Sequence, residues 1–265
     1  MQFTGQIRKM HTKLGDEVQY ELPVGNDLVN MNQLINKEIS LNYQGKIECI
    51  KCGRETIKSF NQGFCYPCFR DAPEAADWII HPELSKAHLG IEDRDLEYEK
   101  AAQLQPHVVY LSLTSDIKVG ITRGTQIPTR WIDQGAVKAI KLAETPNRYL
   151  AGMIEVGLKN HMTDKTNWRK MLMNIYPDID LIEKKQEIKN LVASEYHQYF
   201  ETKNEIININ FPVTDYPVKL KSIGFDNVPE YTGTLKGIKG QYLLFENGIV
   251  LNIRKHGGYV VTIAY

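Results

Sequence analysis

The sequence predicts an α+β protein built from a zinc-ribbon segment, a β-β-α-β-α module and a small antiparallel β-barrel-like domain. Three observations carry that expectation. Four cysteines stand in two CxxC pairs, CIKC and CYPC, between residues 49 and 68. From His107 onward two β-rich runs flank a short turn and are followed by alternating helix and strand patterns. From Tyr231 to Tyr265 strand-like runs alternate with Gly turns.

Taken in order, Phe3 to Met10 and Val18 to Pro23 are strand-like and separated by the Lys13-Leu14-Gly15-Asp16 turn, while Ile39 to Ile47 alternates as a half-buried strand does. This N-terminal β segment, residues 1–45, is expected to pair with the C-terminal β-domain. FTGQI near the start and YTGTL at 231–235 share a pattern too short to establish a repeat, yet both ends fit one sheet with the rest inserted between them. Residues 46–105 hold the cysteines and an acidic connector carrying short helices, punctuated by Pro73, Pro82 and Pro106, with a boundary near Pro106.

Residues 106–210 begin with the run His107 to Leu113, a Ser115-Asp116 turn and the run Ile117 to Thr122, which together read as a hairpin. A helix over Pro128 to Gln134 stops at Gly135, and Val137 to Ala143 is a third strand. Arg148 to Met162 sets Leu150, Met153, Ile154, Leu158 and Met162 at helical spacing, and Asp180 to Phe200 reads as a further amphipathic helix packed on the module. Residues 211–265 read as an antiparallel meander closing into a small barrel.

The 265-residue chain is formally neutral and 42% hydrophobic, so it can form an ordinary packed core. No apolar run reaches the length of a membrane span, and Met1 to Gly25 lacks the pattern of a secretory signal, so the expectation is a cytoplasmic protein without a membrane partner. Neutrality is a sum of unlike parts. Residues 71–103 carry 3 basic against 9 acidic side chains, whereas 104–174 carry 10 against 5 and 219–265 carry 6 against 3. The basic segments suit a phosphate backbone, although solvated surface charge explains an excess of this size equally well.

All four cysteines, Cys49, Cys52, Cys65 and Cys68, fall into the two pairs. Two such knuckles supply four thiolates that close tetrahedrally on one zinc ion, with Gly53 leaving room for backbone amides to turn toward sulfur. Two disulfides are the rival, but they are disfavoured in a reducing cytosol. Four thiolates leave no open position for water, so the expected zinc is structural. His81 and His88 then remain ordinary surface or capping residues.

At the hairpin, VVY at 108–110 and KVG at 118–120 are followed by PTRWIDQG and AGMIEVGLKNH. Over roughly residues 107–170 this order resembles the GIY-YIG nuclease superfamily. The resemblance implies phosphodiester cleavage at Tyr110, Lys118, Arg130 and Glu155, with Glu155 holding a Mg²⁺ ion. Arg130 and Lys118 would neutralise phosphate, and Tyr110 would orient or deprotonate water. Two departures stand out: Lys118 replaces the frequent Tyr of the second motif, and Gln134 stands where many members have His. Against the functional reading, a strand Tyr is usually a packing residue, a helix Glu is usually solvated, and Arg130 could simply pair with Asp133 or Glu155.

A longer resemblance, over about residues 33–173, is to the family of domain of unknown function 2797. It rests on INKEISL, CIKCGRETIKSFNQGFCYPCF, KVGITR, PTRWIDQGA and DKTNWRKML, and implies no activity. Within it, Trp168 between Lys165 and Arg169 suits base stacking with phosphate contacts, as well as a helix capped at Asp164 with Trp168 packed inward. Expected nucleic-acid contacts are Arg123, Trp168, Arg169, Lys170, Arg254 and Lys255. The tail interleaves Lys236, Lys239, Arg254, Lys255 and His256 with Tyr231, Tyr242, Phe245 and Tyr259, as on a basic aromatic platform, or with every aromatic facing inward. The first function hypothesis is a nucleic-acid-binding protein, RNA preferred over DNA, that cleaves with Mg²⁺. The second is a non-catalytic adaptor for nucleic acid or protein on the same scaffold, and a third is an unrelated nucleotide-binding enzyme.

Overall fold

Runs of β-branched and aromatic residues form the strands of the computed structural model, which has a mixed α+β fold with several sheets and short helices. It describes residues 1–159, 161–162 and 166–265. Strands β1 (Gln2–Gln6), β2 (His11–Lys13), β3 (Gln19–Val24), β4 (Asp27–Asn30), β5 (Glu38–Glu48) and β6 (Glu55–Thr56) precede helix α1 (Tyr66–Asp71). Next come α2 (Leu96–Gln103), β7 (His107–Leu113), β8 (Ile117–Arg123), α3 (Thr129–Asp133), β9 (Lys138–Thr145), α4 (Arg148–Lys159), α5 (Trp168–Leu172), α6 (Leu181–Lys189) and β10 (Ile206–Asn208). The last strands are β11 (Lys221–Ile223), β12 (Glu230–Lys239), β13 (Tyr242–Phe245), β14 (Ile249–Asn252) and β15 (Tyr259–Ala264). Contacts divide the chain into two units, Met1–Arg70 with Asn210–Tyr265, and Asp71–Ile209.

The first unit is organised by β5, whose Ile39 and Leu41 are buried while Ser40 and Asn42 turn to the other face. On one side Leu41 pairs with Ile263 of β15, and on the other with Tyr231 of β12. Strand β1 then pairs with β15, Phe3 opposite Ile263, so the two chain ends share one sheet. The expected barrel does not close: the order is β1-β15-β5-β12-β13-β14-β11, with β1 and β11 at opposite ends and β6 beside β5. The meander also ends on a parallel pair, since β11 runs parallel to β14. Closure would require β11 to meet β1, but β11 is only three residues long.

Part of the basic and aromatic set of the tail is buried. Phe245 and Tyr259 are buried, and so are two of the supposed surface cations, Lys239 and His256. His256 donates from Nδ1 to the Asn252 carbonyl (2.7 Å) and accepts at Nε2 from the Phe225 amide (3.2 Å). The Lys239 ammonium lies 5.3 Å from the Phe211 ring centre and 5.2 Å from that of Tyr216, and burial pulls its pKa down to about 7. Arg254 is half-buried and hydrogen-bonds the Gln62 side chain, while Lys255 stays exposed.

In the second unit, β7 is buried along its whole length in the antiparallel order β10-β9-β7-β8. Helix α4 buries Ala151, Ile154 and Leu158, spaced three and four apart, against Val109, Leu111 and Val119 of the sheet. Burial of a side chain such as Ile154 or Leu158 stabilises the unit by roughly 1.5–3 kcal/mol each. The connector is folded rather than loose. It runs through short 3₁₀ turns at Pro73–Ala75, Asp77–Ile79, Pro82–Leu84 and Ala87–Leu89 into α2, which Asp95 caps by accepting from the Tyr98 amide (3.0 Å). Buried Glu99 accepts from the amides of Asp93, Arg94 and Asp95 at 3.0, 2.7 and 3.1 Å.

The long helix expected over Asp180 to Phe200 is shorter. Asp180 caps α6 by accepting from the amides of Ile182 (2.7 Å) and Glu183 (3.2 Å), and the helix ends at Lys189 before a 3₁₀ turn at Ser194–Tyr199. Asn190, Val192 and Ser194 are weak helix formers, and His197 Nε2 donates to the Val192 carbonyl (2.9 Å), so the freed acceptor keeps a partner.

Candidate functional site

Two groups of side chains are candidates for a site. The first is the cysteine set in the first unit. Strand β5 delivers Cys49 and α1 carries Cys68, one turn after Cys65 at its start. The first knuckle turns back on itself through Gly53, at φ +71°, whose amide donates to the Cys49 carbonyl (2.9 Å). The four Sγ atoms lie within 4.8 Å of one another, and Cys52 and Cys65 are 3.8 Å apart. Tetrahedral Zn–S bonds of about 2.3 Å require sulfur separations of about 3.8 Å, so the cluster is compatible with a structural zinc ion. None of the four is in a disulfide. Burial raises the Cys49 pKa, but the amides of Cys52, Cys65 and Lys51 outweigh it and bring it down to about 6. Burial and the crowding of the other thiols push Cys68 up to about 12.

The second group lies in the second unit. Tyr110 of β7 stands opposite Gly120 of β8, and its ring crosses the space where a side chain at 120 would sit: a Cβ there would be 2.7 Å from Tyr110 Oη. The Tyr110 hydroxyl donates to Gln134 Oε1 (3.0 Å), and the ring packs edge-on against Trp131 at 5.8 Å. Burial raises the Tyr110 pKa, opposed by the charge of Arg130 and its hydrogen bond to the hydroxyl, with Glu155 adding a smaller push upward. Tyr110, Arg130, Gln134 and Glu155 therefore share one neighbourhood. Lys118, buried, is two residues before Gly120 on β8 and so shares Tyr110's face of the sheet, opposite Ser112.

Arg148 also belongs to this group, and the sequence reading passed over it. Its Nη2 donates to the Ile79 carbonyl (2.7 Å), its Nε to the Trp78 carbonyl (3.2 Å), and its guanidinium lies 5.5 Å from the Trp78 ring centre. Burial brings its pKa down to about 10, with Glu155 opposing and Arg130 and Arg123 reinforcing the shift. A seven-residue spacing on α4 places Arg148 and Glu155 on one face, a signal present in the sequence. Glu155 also lies 4.0 Å from Lys159, and its side chain is only 12% exposed. Gln134, which replaces a frequent His, is the hydrogen-bond partner of Tyr110. Among the described residues, the cysteine set is the cluster of three or more metal-ligating groups, and no group of that size includes Glu155.

The remaining expected contacts belong to several elements. Arg123 is exposed at the end of β8, opposite His107. Trp168 is half-buried with the Arg169 guanidinium 4.4 Å from its ring centre, and Arg169 and Lys170 are exposed. Asp164 and Lys165 lie outside the described residues; Asn167 caps α5, its side chain accepting from the amides of Arg169 and Lys170 (3.2 Å each). Arg254 and Lys255 belong to the other unit.

His107 gives this unit a pH dependence. Its Nδ1 donates to the Gln105 carbonyl (2.7 Å), while Nε2 is buried without a partner. Burial, opposed by that carbonyl and helped by Arg148 and Arg123, brings its pKa down to about 4. The folded chain holds the neutral ring and the unfolded chain takes up a proton below about pH 6.5, so stability present above 6.5 is lost as pH falls toward 4. The gap corresponds to roughly 3 kcal/mol. Unfolding midpoints measured from pH 7 to 4 should fall steeply in the wild type and more gently in His107→Asn; parallel curves would show that another group carries the dependence.

The profile of the family described as "Protein of unknown function (DUF2797)" matches residues 36–261. The chain belongs to that family. The match spans the cysteine cluster, the whole β7-to-α4 region and most of the C-terminal strands, so both candidate groups lie inside this family's sequence pattern. No curated protein and no solved structure matches this chain.

Proposed function

We propose that this member of the family is a zinc-stapled nucleic-acid-binding protein whose β7-β8-α3-β9-α4 segment is GIY-YIG-like and cleaves phosphodiester bonds. The observation that carries the reading is the packing of Tyr110 across Gly120, which sets its hydroxyl on Gln134 and Arg130 and within the electrostatic reach of Glu155. Arg130 and Lys118 are cations that compensate the charge of a phosphate in a partly dry site. A raised pKa keeps the Tyr110 hydroxyl protonated, and with that proton given to Gln134 its oxygen could accept from and position a water rather than abstract a proton. Glu155 would hold Mg²⁺ through one carboxylate, a fit that needs waters and phosphate oxygens to complete the six positions. When bound, the ion would supply charge for the leaving oxygen. Trp168, flanked by Arg169 and Lys170, suits an unstacked base such as single-stranded RNA offers.

Incubation of single-stranded RNA and branched DNA with Mg²⁺ tests this. Cleavage by the wild type, lost in Glu155→Gln, is the expected result; equal cleavage by both proteins would mean a contaminant and would sink the assignment. Two observations favour a second reading, a non-catalytic adaptor: Tyr110 is fully buried and Arg148 is committed to two backbone carbonyls. Retention of the oligonucleotide without cleavage would select it.

A further inference from the structure

We propose that the zinc knuckles carry a stacking platform for single-stranded nucleic acid, on the outer surface of the cysteine loop. This rests on the reading that the protein binds nucleic acid, but not on the reading that it cleaves it. Phe60 lies with its ring centre 5.5 Å from that of Tyr66, edge-on, and 5.8 Å from that of Phe69, nearly parallel. Tyr66 is 55% exposed, Phe69 36%, and Ile57 nearby in sequence is fully exposed. Isolated exposed apolar residues are ordinary, but three aromatic rings in contact at a surface mark an interaction site.

The placement follows from the metal ligands. Cys65 and Cys68 are three residues apart and face the sulfur cluster, so Tyr66 and Phe69, each one residue further along, share a neighbouring face of α1. Closing the cluster would fix this six-residue helix and hold both rings without any core of their own beneath them. Phe60 comes from the opposite arm of the loop, where its amide and carbonyl pair with Phe64 (2.8 Å each). The rings are thus presented by a rigid frame, which keeps the entropy cost of binding low.

Charge selects the partner. From residue 51 to 70 the basic residues are Lys51, Arg54, Lys58 and Arg70, all exposed, against the single acid Glu55. The Lys58 ammonium lies 5.2 Å from the Phe60 ring centre, putting a cation beside a π face. Aromatic faces for bases with cations for phosphates are what single strands require, because every base has a face to stack and duplexes hide theirs. An apolar protein partner would be served by the rings but not by the Lys58 ammonium beside Phe60 or the basic excess of the loop.

Fluorescence anisotropy of labelled oligo-dT and oligo-rU with the full-length, zinc-loaded chain in Mg²⁺-free buffer is the test. Tyr66→Ala and Phe69→Ala should each weaken binding by roughly tenfold, with zinc content unchanged, while Tyr66→Trp restores it. Lys58→Glu should weaken binding and lower the slope against log salt by about one. Wild-type affinity in all of these variants, or no binding of either strand, would overturn the proposal. Should an Ala variant lose zinc, Tyr66→Trp and Lys58→Glu decide. Loss of cleavage with platform-dependent binding intact would remove only the nuclease reading; cleavage with affinity indifferent to these variants would remove only the platform.

Discussion

Cys65→Ser should abolish zinc binding and lower the unfolding temperature by at least about 10 °C. Cys65 is 2% exposed at the start of α1, and its carbonyl takes the Phe69 amide (2.9 Å). Between Cys49 and Cys68 the other clearly buried apolar side chain is Phe64, so the loop has little hydrophobic burial to hold it. Apparent zinc-binding energies of about 10–16 kcal/mol in finger peptides are comparable to the about 5–15 kcal/mol by which a whole domain is stable. Loss of the centre should spread into the sheet, because the Glu48 amide donates to the Gly258 carbonyl (2.7 Å) and Ser59 Oγ to the Gly257 carbonyl (3.0 Å). Elemental analysis should find one zinc per wild-type chain and none in the variant, and a chelator should reproduce its melting curve. A wild type that keeps its melting curve after the chelator has removed its zinc, or a Cys65→Ser variant as stable as the wild type, would refute the structural role.

The second large effect is expected at Gly120→Ala. The added Cβ would lie 2.7 Å from Tyr110 Oη and 2.8 Å from its Cζ, closer than real contacts allow. Tyr110 has no exposed surface into which to swing, and Trp131 holds its ring from the side. Either the ring moves, breaking the bond to Gln134, or the strands part. Overpacking costs about 1–3 kcal/mol and a lost buried hydrogen bond about 1 more, so the denaturant midpoint should fall clearly. Tyr110→Leu in the same chain should recover much of the loss, since neighbouring substitutions couple. Additive penalties would mean that the Tyr110–Gly120 contact is not what the methyl disturbs. Under the proposed function, Gly120→Ala should also depress cleavage more than binding, because it displaces Tyr110 while leaving the surface cations in place.

The cysteine cluster was readable from spacing alone, because all four ligands lie within one short stretch and thiolate chemistry leaves few alternatives. The strand over His107–Leu113 and the buried face of α4 were also readable, since period-two and period-3.6 patterns are local properties of the chain. Residue chemistry without burial misled in the tail. Lys239 and His256 look like surface cations until the sheet closes over them, and period-two aromatics say nothing about which face is covered. Likewise Gln134 looks like the loss of a proton acceptor until the Tyr110 hydroxyl is found bonded to it. The same holds for the exposed rings on α1, which only three-dimensional packing joins to Phe60.

Local period and ligand spacing therefore specify the mixed α+β class and the cysteine cluster. The open end of the large sheet, the folded state of the acidic connector and the company kept by Tyr110 depend on pairings between residues far apart in sequence. Such pairings are decided by which faces can be buried together, a quantity that exists only once the chain has folded.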